Sequence, residues 1–216
     1  MTVTALVVAK APVPGLAKTR LAATIGNAAA ADLAAASLLD TLDAVSAADV
    51  DRRVVALTGA LADAARAEEL TRALASFTVI PQRGDGLGER LANAHADAAT
   101  TGATLQIGMD TPQVTAQLLS DAAALLGSSD VLGSAEDGGW WALGLRNPDL
   151  ARSLLDVPMS APSTGTDTLE ALTAAGASIT MLPELRDVDF ESDLDAVAQL
   201  CIPTSRFRIA VTQLEN

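Results

Sequence analysis

The chain has 216 residues, with 14 Lys plus Arg against 27 Asp plus Glu and a formal net charge of -13. That length can bury a full core as one domain, and no linker or repeat of fixed period divides residues 1–216. The acidic balance repels polyphosphate backbones and so argues against a nucleic-acid partner. No apolar run approaches the roughly 18 to 20 residues of a membrane span. The short apolar core 5–9 has no basic region before it, unlike a secretory signal. The lone cysteine, Cys201, cannot form an internal disulfide; it is expected to be a small buried hydrophobe, and the location a reducing cytoplasm.

In chain order, residues 3–9 are short, valine-rich and followed by Pro12, Pro14 and Gly15, which predicts a buried strand. Residues 28–48 predict a helix, with Leu33, Leu38, Leu42 and Val45 approximating one face. A strand is expected at 53–57, a helix at 61–74 and a strand at 77–80. The Gly-rich loop 82–88 then leads into a helix at 89–99, followed by a strand at 104–108 and a helix at 113–126. Strands alternating with helices at this rhythm predict an α/β fold with a mostly parallel sheet covered on both faces. Ligands of such sheets bind at the carboxyl ends of the strands, where the loops 10–20, 81–88 and 109–112 should converge. The pattern then changes: 131–135 and 140–145 read as two strands joined by Glu136-Asp-Gly-Gly139, a hairpin-like connection. A helix at 167–175, a strand at 178–182 and a helix at 189–200 follow. The tail 202–216 is ambiguous, and its apolar part 207–214 suits an edge strand or a docking arm that invites a homodimer contact.

Only two lysines occur, Lys10 and Lys18, and both fall in Lys10-Ala-Pro-Val-Pro-Gly-Leu-Ala-Lys18-Thr-Arg-Leu; the other twelve fixed cations are arginines. Ammonium groups are compact point charges that suit phosphate oxygens. The segment is not a Walker A loop, since Ala17 stands before Lys18-Thr19 where glycine is required and Pro12 replaces the first glycine. Nor is it a Rossmann turn, with Gly15 its only glycine. What remains is a turn shaped by Pro12, Pro14 and Gly15 that presents Lys10, Lys18 and Arg20 to a polyanion.

Asp110, in Gly108-Met-Asp110-Thr-Pro112, follows a central strand. There a carboxylate can hold a divalent cation against a diphosphate, or it can cap the next helix, which Pro112 would favour. Asp187-Val-Asp189 places two acids at strand spacing, and Asp189 could equally cap the helix after Phe190. Glu136-Asp137-Gly138-Gly139-Trp140-Trp141 holds two of the chain's five aromatic residues beside a double glycine. One tryptophan must face the core, leaving the other as a platform for a small acceptor beside Asp137. Gln82, Gly84, Gly86 and Gly88 suit a backbone that wraps a nucleobase or ribose, or a surface turn. Ser163 and Thr164 lie in a polar helix entry that could contact an acceptor. His95, the only histidine, is expected to be structural, which leaves no Ser-His-Asp or Cys-His arrangement.

Together, Lys-Ala-Pro-x-Pro-Gly-x-x-Lys-Thr-Arg-Leu, Gly-Asp-Gly-Leu-Gly-Glu-Arg, Gly-x-Asp-x-Pro, Asp-Gly-Gly-Trp and Asp-Val-Asp resemble a bacterial group of GT-A-type transferases. That group includes glycosyltransferases linked to arsenosugar biosynthesis, and it is similar to the guanylyltransferases that activate phospholactate or phosphoenolpyruvate. The resemblance runs from Lys10 to Leu194. It implies a nucleotide-diphospho-sugar transferase (GT-A-like) three-layer fold, with Lys10 and Lys18 on the nucleotide phosphates, Asp110 on Mg2+ or Mn2+, and Asp187 and Asp189 as further metal ligands. Two departures stand out: Asp110-Thr-Pro112 offers one acid where many such enzymes have Asp-x-Asp, and Trp140 replaces a frequent tyrosine. The expected activity is metal-dependent glycosyl transfer from a nucleotide sugar to a small acceptor bound by Gly138, Gly139, Trp140, Ser163 and Thr164. Lys18 would be catalytic through charge neutralisation, and Asp137 by orienting or deprotonating the acceptor hydroxyl. The rivals are nucleotidyl transfer from a nucleoside triphosphate to a phosphate-bearing molecule, and a non-catalytic nucleotide-binding module.

Overall fold

The structure, a computed structural model, describes residues 1–99 and 102–214. Strand β1 (Val3–Lys10) pairs in parallel with β2 (Arg52–Thr58) on one side and β4 (Ala103–Ile107) on the other. The short strand β3 (Thr78–Pro81) extends the sheet beyond β2. Past β4 come β6 (Trp140–Leu145), antiparallel to it, then β5 (Asp130–Ala135) and β7 (Ile179–Leu185). Among the described residues seven strands therefore lie in the order β3-β2-β1-β4-β6-β5-β7, and of these β6 alone runs against the rest. The mostly parallel sheet is as expected, and its one reversal is the 136–139 hairpin.

Both faces are covered. Val3, Ala5, Val7 and Ala9 of β1 point to a core shared with α2 (Asn27–Ala47), α3 (Ala67–Leu74) and α5 (Ala116–Leu125). The alternate residue Leu6 packs with Ala94 and Ala98 of α4 (Leu87–Ala98) on the other face, as the two-residue period of a strand requires. That face continues through Leu143, Leu154 and Leu172 to a 3-10 segment (Pro148–Asp156) and α6 (Thr164–Ala174). Strands buried on both sides read as continuous apolar runs, which is why β1 and β4 stand out in the sequence.

Four expectations change. The helix expected at 61–74 is a 3-10 turn (Leu61–Asp63) followed by α3. It breaks because Arg66 has φ 53 and its guanidinium is held by Asp32 of α2 at 2.8 and 2.7 Å. Helix α5 starts only at Ala116, capped by the Thr115 hydroxyl, which accepts from the Leu118 N–H at 3.1 Å. A short helix α1 (Thr19–Ile25) continues directly from the lysine segment. The apolar tail is neither strand nor arm: α8 (Arg206–Leu214) docks back on the same chain, with Phe207 fully buried. Its first turn is fixed by Asp40, which accepts from the Arg206 N–H at 3.0 Å and the Phe207 N–H at 2.9 Å. Residues 215 and 216 of that tail lie outside the described residues. Helix α7 (Glu191–Leu200) packs beside α8, where Cys201 is buried as a hydrophobe. Among the described residues no helix is long and apolar enough to cross a membrane.

Candidate functional site

The carboxyl ends of β1, β4, β5 and β7 open on one side of the sheet, and each is followed by a charged residue. After β1 the chain turns tightly at Pro12 and at Gly15, which has φ 78. The Pro12 carbonyl is pinned by the Ala65 N–H at 2.9 Å. Lys10 clips this turn by donating to the Leu16 carbonyl at 2.6 Å. The turn ends at Lys18, a non-glycine residue at φ 47, a conformation that disfavours a side chain by roughly 1–2 kcal/mol. That backbone sends the Lys18 ammonium inward: its side chain is 10% exposed and Nζ sits 2.9 Å from Asp110 Oδ1 and 2.9 Å from Asp189 Oδ1. Only the Asp189 contact has hydrogen-bond alignment, so Asp110 Oδ1 is paired by charge alone. Arg20 completes the group, with Nη1 3.0 Å from Asp189 Oδ2 and its guanidinium 5.7 Å over the Phe190 ring.

The acids come from three strand ends. Asp110 follows β4, and its carbonyl accepts from the Val188 N–H at 3.0 Å, which ties the segment after β7 to the segment after β4. Asp137 occupies the hairpin tip between β5 and β6, its Oδ1 accepting from the Gly139 N–H at 2.7 Å. Carboxylate oxygens of Asp137, Asp187 and Asp189 all lie within 4.8 Å of one another. Burial and the neighbouring charges of Asp137 and Asp189 push the Asp187 carboxyl up to about 6. Burial also acts to raise Asp189, but Lys18 and Arg20 outweigh it and hold that carboxyl below its ordinary value. For Lys18 burial acts to lower the pKa, and the two carboxylates more than offset it, so the ammonium stays charged. Three converging carboxylates, of which Asp187 has no ion pair among the described residues, form a hard-oxygen donor set that could hold a divalent cation.

Neither capping role is found. Thr115 caps α5, leaving Asp110 free of any helix. Asp193 accepts from the N–H groups of Asp189 and Phe190 at 3.1 and 2.8 Å, so the Asp189 side chain is not spent on α7. Of the expected metal ligands Asp110, Asp187 and Asp189, the last two group with Asp137, and Asp110 stands across Lys18 from Asp189.

These groups line a cleft of two adjoining lobes, of about 850 and 400 Å³, whose common wall includes Lys10, Asp110, Asp137 and Asp189. The larger lobe adds Lys18, Arg20 and Phe190. The smaller adds Gln82, Arg90, Gln106, Trp140, Thr164 and Asp187. Gln82 reaches its lobe while its Nε2 donates to the carbonyls of Ala9 and Ala56 at 2.8 and 2.9 Å, bridging β1 and β2. Trp140 is half-buried on the lobe with Nε1 donating to Thr168 Oγ1 at 3.2 Å. Trp141 is the core-facing partner, its Nε1 donating to the Pro183 carbonyl at 3.0 Å.

Several expected contacts lie elsewhere. Pro12, Gly15, Gly84, Gly86 and Gly88 line neither lobe. Gly88 instead lets α4 close onto the Leu154 carbonyl, which a Cβ would overlap. Gly138, at φ 89, similarly admits the Pro162 carbonyl and packs the hairpin against the start of α6. Ser163 donates to Asp167 at 2.8 Å and is off the cleft. Thr164 is buried, donating to the Pro158 carbonyl at 2.8 Å and accepting from the Ala161 N–H at 3.0 Å, so it shapes the 158–162 segment that roofs both lobes. That segment, with Ser160 at φ 60, has a detectable signal only in its bracketing Pro158 and Pro162. Phe190 and Arg90 carried no spacing that tied them to the lysines.

The fold is similar to that of a Desulfovibrio desulfuricans G20 protein provisionally described as a nucleotide-diphospho-sugar transferase, at 24% identity over 99% of each chain and a TM-score of 0.82. It is also similar to CMP:2-keto-3-deoxy-manno-octonic acid synthetase complexed with CTP, at 13% identity over 91% of this chain and 97% of that one, with a TM-score of 0.56. A third likeness is to Rv0371c of Mycobacterium tuberculosis H37Rv in complex with manganese, at 16% identity over 91% of this chain and 98% of that one, with a TM-score of 0.56. Together these place the chain in the nucleotide-diphospho-sugar transferase fold. No curated protein matches the sequence. The profile of uncharacterised proteins conserved in bacteria, DUF2064, matches residues 41–161, more than half of the chain, and the chain belongs to that family.

Proposed function

We propose that the protein is a metal-dependent transferase using a nucleotide-activated donor, transferring a glycosyl group from a nucleotide sugar to a small acceptor. The observation that carries this reading is the buried Lys18 ammonium set between Asp110 and Asp189, beside the Asp137, Asp187 and Asp189 cluster at the strand ends. Fold neighbours described with CTP and with manganese support a nucleotide and a divalent cation as its ligands.

In this reading Lys18 and Arg20 leave their carboxylates to take the donor's diphosphate in the larger lobe, while Lys10 flanks it. Asp187 and Asp189, with Asp110, would hold Mg2+ or Mn2+. When bound, that cation neutralises charge developing on the departing diphosphate, a stabilisation concentrated in the transition state. Asp137, on the wall common to both lobes, orients the acceptor hydroxyl and accepts its proton, and Trp140 is a flat wall of the smaller lobe beside it. A cytoplasmic location belongs to the same reading.

Nucleotidyl transfer is the second reading, favoured by the place of Asp137 within 4.8 Å of two other acids. There Asp137 serves as a metal ligand, and no general base is needed. Thermal stabilisation by nucleoside diphosphates, triphosphates and nucleotide sugars, each with Mg2+ or Mn2+, tests the site. Stabilisation and turnover with a nucleotide sugar supports glycosyl transfer, and pyrophosphate release from a triphosphate supports the second reading. Binding without turnover across acceptors leaves a nucleotide-binding module. If no nucleotide stabilises the protein with either metal, the reading is wrong.

A further inference from the structure

The smaller lobe is lined by a polar side chain whose amide is not paired by any well-formed hydrogen bond among the described residues. Gln106 lies on β4, on the face covered by α4, and is 3% exposed. It lines the lobe together with Val8, Leu91 and Trp140. Its Oε1 is enclosed without a hydrogen-bond partner. Behind it His95 is fully buried, with Nδ1 2.6 Å from the Thr104 hydroxyl and Nε2 also lacking a partner. Burial keeps the imidazole uncharged, and Gln106 is the polar neighbour that acts against that effect. Buried polar groups are nearly always paired, so an orphan on the wall of the cleft with a second one behind it calls for an explanation.

The chemistry of the two side chains orders them. If the Thr104 hydroxyl donates to Nδ1, the neutral ring carries its proton on Nε2, toward Gln106 Oε1. The amide oxygen is then turned to His95, and the amide N–H2 group is left for the lobe. Around it Leu87, Leu91, Met159 and Trp140 give the lobe apolar walls, while along its edge the carboxylates of Asp110, Asp137, Asp187 and Asp189 outnumber the cations Lys10 and Arg90 and disfavour an anion. About 400 Å³ leaves room for one ring system.

We propose that Gln106 selects the uncharged ring of the substrate, its amide N–H donating to an oxygen acceptor on a ring seated in the smaller lobe, with His95 and Thr104 as positioning residues behind it. The acceptor oxygen is a nucleobase carbonyl or a sugar hydroxyl. This rests on the nucleotide-transferase reading above and adds the residue that recognises the substrate's ring.

The test is calorimetric binding of UDP, ADP and UDP-glucose with Mn2+ to wild type, Gln106→Leu, His95→Leu and the double variant, with melting temperatures of all four proteins without ligand. The proposal expects Gln106→Leu to lose at least tenfold in affinity. A loss shared by UDP and UDP-glucose but absent for ADP, whose base has no carbonyl, assigns the contact to the base. A loss confined to UDP-glucose assigns it to the sugar. His95→Leu should weaken the same ligand, and the double variant should bind no worse than Gln106→Leu, because His95 acts through the amide. Adding Thr104→Val to the double variant should give a protein that melts at or above the wild-type temperature, since the amide, the imidazole and the hydroxyl bonded to it have then all been replaced by apolar groups. Equal affinities in wild type and Gln106→Leu overturn the proposal. So does a fall of more than about 5 °C in that triple variant, on the scale by which a lost contact shifts melting, because the buried polar group would then be a structural requirement. A wild type that binds none of the three ligands overturns the transferase reading itself, a result separable from the other two because it involves no variant.

Discussion

Lys18 is where the strain and the charge of the site coincide. Its φ of 47 is retained although any glycine would adopt it more easily, and the result is an ammonium that acts as the resident counter-cation of Asp110 and Asp189. In the proposed function the same ammonium cannot hold both a phosphate and these acids, so Lys18 and a divalent cation would compete for Asp189 until a phosphate drew the ammonium away. Lys18→Met should therefore act in opposite directions on two ligands. Nucleoside diphosphate binding should weaken by about 10- to 100-fold, the scale of a buried charge-assisted contact. Mn2+ alone should bind several-fold tighter, because Asp110 and Asp189 lose their partner. Manganese binding followed by electron paramagnetic resonance reads the second effect directly, and weaker Mn2+ binding in the variant would show that Lys18 supports the cation rather than competing with it. Asp137→Asn separates the two transfer reactions at the same scale. A base lost from glycosyl transfer should lower kcat by about 100-fold or more with little change in donor KM, whereas a metal ligand lost from nucleotidyl transfer should show first as a raised Mn2+ requirement.

Among the elements, α4 is held by a glycine at a close contact rather than by its loop. Gly88 lies where a Cβ would overlap the backbone carbonyl of Leu154 in the Pro148–Asp156 segment, and backbone cannot move aside as a flexible side chain can. Gly88→Ala should cost about 1–3 kcal/mol, the usual range for overpacking, measured by urea unfolding. Nucleotide affinity of the folded fraction should be unchanged; a selective loss of affinity at wild-type stability would return Gly88 to the binding loop. The Gly-rich motif was visible in the sequence, but spacing cannot tell a glycine that meets a ligand from one that meets a helix. The strands β1, β2 and β4 and the long helix α2 were readable because their patterns are local, either apolar runs bounded by turn residues or a sustained helical stripe. Helix α3 was not, because its start depends on Arg66 finding Asp32, 34 positions earlier. Helix α8 buries Phe207, Ala210 and Val211 at helical spacing, yet in a short terminal segment those positions read as readily as a strand.

At the scale of the molecule, the convergence of the 10–20 and 109–112 loops followed from the sheet alone, since parallel strands deliver their following loops to one end. The grouping of Asp137 with Asp187 and Asp189 did not. It depends on β5 lying between β6 and β7, an order that follows from the reversal at 136–139 and from the β7 return beside β5. The buried centre of the sheet's other face makes a further prediction about global stability. Burial lowers His95 from the ordinary 6.5 to about 4 in the folded protein. Between those values the unfolded chain binds a proton that the folded one refuses, so the stability contributed by neutral His95 is complete above pH 6.5 and is lost as the pH falls toward 4. A shift of that size corresponds to about 3 kcal/mol. Asp187 works the other way: its folded value of about 6 lies above the ordinary 3.8, so its contribution falls as the pH rises through that window. The two slopes oppose each other in the wild type and flatten its profile. Subtraction separates them, because His95→Leu removes one titration and leaves the acids in place. Urea unfolding of both proteins from pH 4 to 7 should give a wild-type minus variant stability difference that grows with pH by about 3 kcal/mol and levels off above 6.5. Parallel curves would mean that His95 titrates alike in both states, and the buried, neutral imidazole behind Gln106 would have to be abandoned.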